Sequence, residues 1–176
     1  MTEAAPTSQR LGVLGRIIWF IDPESHPEGM IYGLVVVGSV VAAESVHAGS
    51  ATRDILAAFV VLIVYWLAHT YASILGHRYS NGEEISMAEV RRTFSHEWAI
   101  VRGAAVPLLI MVVGALFGLS SWRVDEIGLV TAVAMLFIFA LVGGIRAKQR
   151  PVVVAIESLI ALGFGAAIVL IRAVLA

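Results

Sequence analysis

The chain contains no cysteine, which removes disulfides, thiolate metal sites and thiol redox chemistry and leaves nothing from which to read a redox compartment. Charge is scarce too: 14% of the 176 residues are charged, against roughly 25% in an average soluble domain. The basic residues are spread through short loops and the net charge is -1, which argues against nucleic acid as a partner. There is no P-loop, no Gly-x-Ser-x-Gly, no His-Glu-x-x-His, no Thr-Val-Gly-Tyr-Gly filter and no Arg-rich voltage-sensor helix. His96-Glu97 is half of a zinc motif whose second histidine is missing. No cofactor, metal site or catalytic set is therefore expected, and the chain leans away from being an enzyme. The first residues also lack a basic segment leading directly into an apolar run and a small-residue cleavage site, so no cleaved signal peptide is expected.

Apolar residues are what the chain has in abundance, at 59% of the total, with a mean hydropathy of +0.89. Crossing about 30 Å of hydrocarbon takes roughly 20 helical residues, and five windows reach that length: 29–48, 55–76, 99–119, 127–145 and 152–175. In lipid the backbone must satisfy its own hydrogen bonds, so long apolar runs joined by short polar loops mean helices. The expected fold is all-α: one membrane domain over 1–176, with five transmembrane helices and no soluble domain. Two further segments read as short amphipathic interfacial helices. Residues 11–21 are apolar around Arg16 and too short to cross. Residues 86–98 open with a Ser86-x-x-Glu89 capping box and space Val90, Phe94 and Trp98 by four, opposite Arg91 and Arg92.

Basic residues alternate between loops. Arg10 and Arg16 precede the first span, Arg78, Arg91 and Arg92 lie between the second and third, and Arg146, Lys148 and Arg150 join the fourth to the fifth; the other loops hold only Arg53 and Arg123. The positive-inside rule then places the N-terminus in the cytoplasm and the C-terminus outside the cell membrane, with Trp98 and Trp122 in the two aromatic belts. Every basic residue except Lys148 is arginine, a bias that fits a GC-rich genome such as an actinobacterium.

Ionisable residues inside a span mark the candidate functional positions, because each must face protein or water rather than lipid. The apolar run 30–43 is too short to cross, so the first helix is expected to continue through Glu44 to His47, a Glu-x-x-His pair of the kind that carboxylate metal sites use at least twice. With one such pair, structural, proton-path and metal roles stay open. In the second span Tyr65, His69, Ser73 and His77 recur at intervals of four, a polar stripe able to relay protons or to bond a neighbouring helix. Arg102 and Glu157 fall at similar depths in the third and fifth spans, where they can pair or Arg102 can snorkel to the headgroups. Pro107 suggests a kink, and Gly29-x-x-x-Gly33, Gly114-x-x-x-Gly118 and the small residues around Gly163 and Gly165 permit close helix approach and a homo-oligomer. A duplication is suggested by Ser25-His26 against Ser95-His96, and by Arg53 and Asp54 against Arg123 and Asp125.

The stretch Tyr65-Trp-Leu-Ala-His-Thr-Tyr-Ala, followed by Trp98-Ala-Ile-Val-Arg-Gly-Ala-Ala-Val-Pro107, resembles uncharacterised small, roughly five-span membrane proteins of actinobacteria. The resemblance covers most of the chain and carries no activity with it; it implies that His69, Tyr71, Arg102 and Pro107 belong to the family's pattern. Three functions fit these features. The chain can be a small oligomeric channel or transporter for protons or small ions lined by Glu44, His69, Ser73, Arg102 and Glu157. It can be a non-catalytic scaffold or accessory subunit of a membrane complex. It can be a lipid-acting enzyme using Glu and His as acid and base.

Overall fold

The computed structural model describes residues 27–46, 49–81, 86–146 and 148–175. These form five helices in up-and-down order: α1 (Pro27–Glu44), α2 (Ala51–Asn81), α3 (Met87–Leu116), α4 (Ser121–Arg146) and α5 (Pro151–Leu175). All five are long and apolar enough to cross a membrane. No strand occurs among the described residues, and the segment 11–21 lies outside them.

Two boundaries differ from expectation. α1 stops at Glu44 instead of running on to 48, and it begins at Pro27, whose fixed φ suits a first helical position. Its 18 residues reach about 27 Å at 1.5 Å per residue, so starting earlier offsets the length that the stretch beyond Glu44 was expected to supply. Residues 86–98 do not form a separate surface helix. Ser86 caps the helix as anticipated, accepting the Glu89 N–H at 3.2 Å, but the helix then continues without a break to Leu116. Nothing between Arg91 and Ile100 can stop it, and Ala99 and Ile100 are already fully buried against the rest of the bundle. At 31 and 30 residues, α2 and α3 are about 45 Å long and overreach a 30 Å hydrocarbon layer by several turns.

The turns carry their own signals. After α3, Gly118 takes φ +74, the Leu119 N–H reaches the Gly114 carbonyl at 3.1 Å and the Gly118 N–H reaches Ala115 at 3.0 Å, a Schellman ending in which glycine carries no Cβ penalty. The same pattern closes α4 through Gln149 to Gly144 and Lys148 to Ile145, with Lys148 at φ 51 where glycine is preferred.

α1 is the central helix and packs on each of the other four. Its closest neighbour is α3, and glycine sets the approach. A Cβ on Gly33 would fall on the Ile100 carbonyl oxygen, and one on Gly103 would fall on the Met30 carbonyl. The two contacts are reciprocal, since Met30 and Ile100, like Gly33 and Gly103, stand seventy positions apart, and Gly29 faces Ala99 at the same separation. Seventy also separates Ala51 from Ser121, whose hydroxyl accepts the Ala51 N–H at 3.0 Å. Ser50 and Ser120 receive the first N–H groups of α2 and α4 in the same way. The α1–α2 and α3–α4 hairpins thus pack as two equivalent halves running in the same direction, and α5 lies against α1 and α4 only on one side.

Between the ends, Leu34, Val37, Leu62, Met111 and Leu136 are at most 2% exposed and form a packed apolar centre. The outward faces of α2 and α5 carry Leu56, Phe59, Val60, Val64, Leu159, Phe164, Val169 and Leu170 in the open. A bilayer provides a solvent for such surfaces; water does not.

Candidate functional site

The polar stripe of α2 meets a carboxylate that stands on α3. Glu97 is 9% exposed, and its carboxylate is held twice from α2: the Ser73 hydroxyl donates to Oε1 at 2.9 Å, and His69 Nε2 lies 3.3 Å from Oε2. His96 Nδ1 is 3.7 Å from Oε1. His69 and Ser73 are one turn apart on α2, which is why both can reach one carboxylate across the helix pair.

Aromatic rings wall the site. Tyr65, one turn before His69, stacks on its imidazole with centroids 5.9 Å apart and planes at 18°, and Tyr32 of α1 approaches the same imidazole at 5.4 Å. Trp66 meets Phe94 and Trp98 edge-on at 5.5 and 5.2 Å. The His69 side chain keeps 32% of its surface exposed, so one donor of the buried carboxylate remains reachable from outside the bundle.

Of the expected residues, Tyr65, His69 and Ser73 come together here. His77 is exposed near the end of α2. Glu44 is the half-buried last residue of α1 and pairs with Arg53 at 3.4 Å; His47 lies outside the described residues. Arg102 is half-buried on α3. Glu157 is exposed on α5, and α3 and α5 are not among the packed helix pairs, so the anticipated Arg102–Glu157 pair does not form. Glu157 instead lines a groove between α1, α4 and α5.

The sequence reading missed Glu97, although it sits three residues after Phe94 and one before Trp98 on the apolar stripe of α3, where a solvated carboxylate is out of place. It also missed a second buried acidic site. Asp54 and Asp125 are 1% and 3% exposed; Asp54 stands in the first turn of α2, where the positive helix end favours a carboxylate, and Asp125 just past the first turn of α4. Beside them Arg172 of α5 binds Glu126 at 3.3 Å. His69 and Glu97 lie toward the end of the bundle that carries Arg78, Arg91, Arg92, Arg146 and Arg150; Asp54 and Asp125 lie toward the other.

Chemically, the Glu97 site joins a carboxylate to an imidazole, a pair able to hold and pass a proton. It is not arranged as a hydrolytic triad. Ser73 donates to the carboxylate and not to the imidazole, so the serine–histidine contact of such a triad is absent. No group of three or more His, Asp or Glu suited to a metal ion occurs among the described residues. No protein-family model, curated protein or solved structure matches the chain, and its function rests on its own geometry.

Proposed function

We propose that the chain is a multi-pass protein of the cell membrane, N-terminus cytoplasmic and C-terminus outside, that handles protons or a small ion as a channel or transporter built from several copies. The observation that carries this reading is the buried Glu97 carboxylate bridged to a partly exposed His69. A carboxylate is retained at such a position at a cost of a few kcal/mol when it does chemistry or binds charge. The basic loops at that end favour the cytoplasmic side. Because the centre of the bundle is packed with apolar side chains, the route on this reading runs between copies, past the open side of Tyr32 and His69, and Glu44, Arg102 and Glu157 drop out of the exchanging cluster.

The test is proton and ion flux in proteoliposomes across pH 5 to 8, with wild type compared with His69→Ala and Glu97→Gln. Flux above that of empty vesicles, reduced at least tenfold in both variants, supports the reading. Wild-type flux equal to that of empty vesicles at every pH overturns it.

A second reading, a non-catalytic accessory subunit of a membrane complex, is favoured by the same packed centre, which a conducting single bundle does not need. On that reading the cluster fastens α2 to α3, and Glu97→Gln lowers stability while leaving any flux unchanged.

A further inference from the structure

The equivalence of the two halves gives the Glu97 site a counterpart. Seventy positions on, His69 corresponds to Phe139 and Ser73 to Gly143, and seventy positions back Glu97 corresponds to Pro27. Those three residues sit together in a cavity of about 420 Å³ between α1, α4 and α5. Where the α2–α3 pair fills its position with an imidazole, a hydroxyl and a carboxylate, the equivalent α4–α1 pair lacks those polar side chains and leaves space. A carboxylate is still supplied, this time by Glu157 from α5.

The lining is chemically one-sided. Phe139, Phe164, Ile31 and Ile160 make it apolar, and among the described residues Glu157 is its one charged group. The Glu157 carboxylate reaches toward α4, with Oε2 3.1 Å from where a Gly144 Cβ would stand. Among the described residues Glu157 takes no hydrogen bond or ion pair. An unneutralised carboxylate on a membrane helix is costly, and a cation with an apolar body removes that cost while covering the groove. Phe139 and Phe164 also line the groove, and an aromatic ring attracts a cation that lies over its face.

We propose that the groove between α1, α4 and α5 is a binding site for a lipophilic organic cation, with its charge on Glu157 and its apolar body against Phe139 and Phe164. The occupant is a small molecule carrying a quaternary or protonated nitrogen or a phosphonium, sized to a cavity of about 420 Å³. The site is separate from the His69–Glu97 cluster, so it stands or falls independently of ion flux.

Equilibrium dialysis of radiolabelled tetraphenylphosphonium against the purified full chain in a non-ionic detergent tests it. Saturable binding is expected, at least tenfold weaker in Glu157→Gln, retained within about threefold in Glu157→Asp, and not displaced by uncharged tetraphenylmethane. Gly143→Leu is the second variant: a Cβ at Gly143 meets nothing within 4 Å, so the larger side chain fills the groove without displacing a neighbour and should abolish binding. Gly163→Leu on α5, equally open at its Cβ and outside the groove lining, should bind as wild type. Absence of saturable binding to wild type overturns the proposal. Equal affinity in Glu157→Gln, or displacement by tetraphenylmethane, also overturns it by showing a groove that takes any apolar molecule.

Discussion

Gly33→Ala is the sharpest test of how the bundle is held. The added Cβ would lie on the Ile100 carbonyl oxygen, with the Ile100 carbon only 2.9 Å away and the Ala104 nitrogen 3.2 Å away. All three are backbone atoms, so no side-chain rotation relieves the contact, and α1 must draw away from α3. Overpacking in a close-packed interior costs about 1–3 kcal/mol, and widening a gap by 0.5–1 Å forfeits a quarter to a half of each dispersion contact across it. Because the obstacle is backbone and the interface is shared along several turns, the loss should fall near the top of that range, about 2–3 kcal/mol, or roughly 30- to 150-fold in the folding equilibrium at 1.4 kcal/mol per tenfold. Reversible unfolding in mixed micelles of rising sodium dodecyl sulfate, followed by circular dichroism, measures it. Gly76→Ala and Gly163→Ala are the controls: a Cβ at either meets nothing within 4 Å, and replacing an interior helical glycine with alanine gains up to about 1 kcal/mol. Gly103→Ala should match Gly33→Ala, and the double variant should lose less than the sum, because one separation of the helices relieves both contacts. If Gly33→Ala unfolds at the same detergent fraction as Gly163→Ala, the close α1–α3 approach is wrong, and with it the equivalence of the two halves.

Lys148→Gly should raise stability by about 0.5–1 kcal/mol in the same assay, because Lys148 closes α4 at φ 51 in a conformation that costs a side-chain-bearing residue roughly 1 kcal/mol; an unchanged midpoint counts against that turn. Ser121→Ala removes the acceptor of the Ala51 N–H at 3.0 Å and should cost about 1 kcal/mol, whereas Thr131→Ala, which bonds only its own helix, should change little. Ser73→Ala takes a 2.9 Å donor from the buried Glu97 carboxylate and should cost about 1.5–3 kcal/mol, as hydrogen bonds to charged groups do; the loss should largely vanish in a Glu97→Leu background, and equal losses in both backgrounds would show that the two side chains do not interact.

The five helices could be read from hydropathy because a bilayer imposes a length and forbids unsatisfied backbone, and both constraints are visible one segment at a time. The errors came where one segment does not decide. The expectation that the first helix runs on to His47 treated α1 in isolation, whereas Pro27 supplies earlier length and Arg53, from the next helix, gives Glu44 its partner. The surface helix at 86–98 was inferred from a moment and a cap, both local, but its continuation depends on Ala99 and Ile100 packing against α1. Tyr65, His69 and Ser73 were recognisable because four-residue spacing is a property of one helix. Glu97 was not, because its role exists only in the register between α2 and α3, and sequence spacing says nothing about which turn of one helix faces which turn of another. The seventy-residue offset is where this limit was partly passed. A handful of matched polar residues at the loops was weak in one dimension, yet Gly33 against Ile100 and Gly103 against Met30 give it a reciprocal geometry that no single segment could encode. That reciprocity also shows where the halves diverge. One carries its carboxylate on the paired helix at Glu97 and fills the space around it; the other borrows a carboxylate from α5 at Glu157 and leaves the space open. A fifth helix that packs on α1 and α4, and so beside only one of the two equivalent helix pairs, is what makes two equivalent halves into a molecule with two different sites.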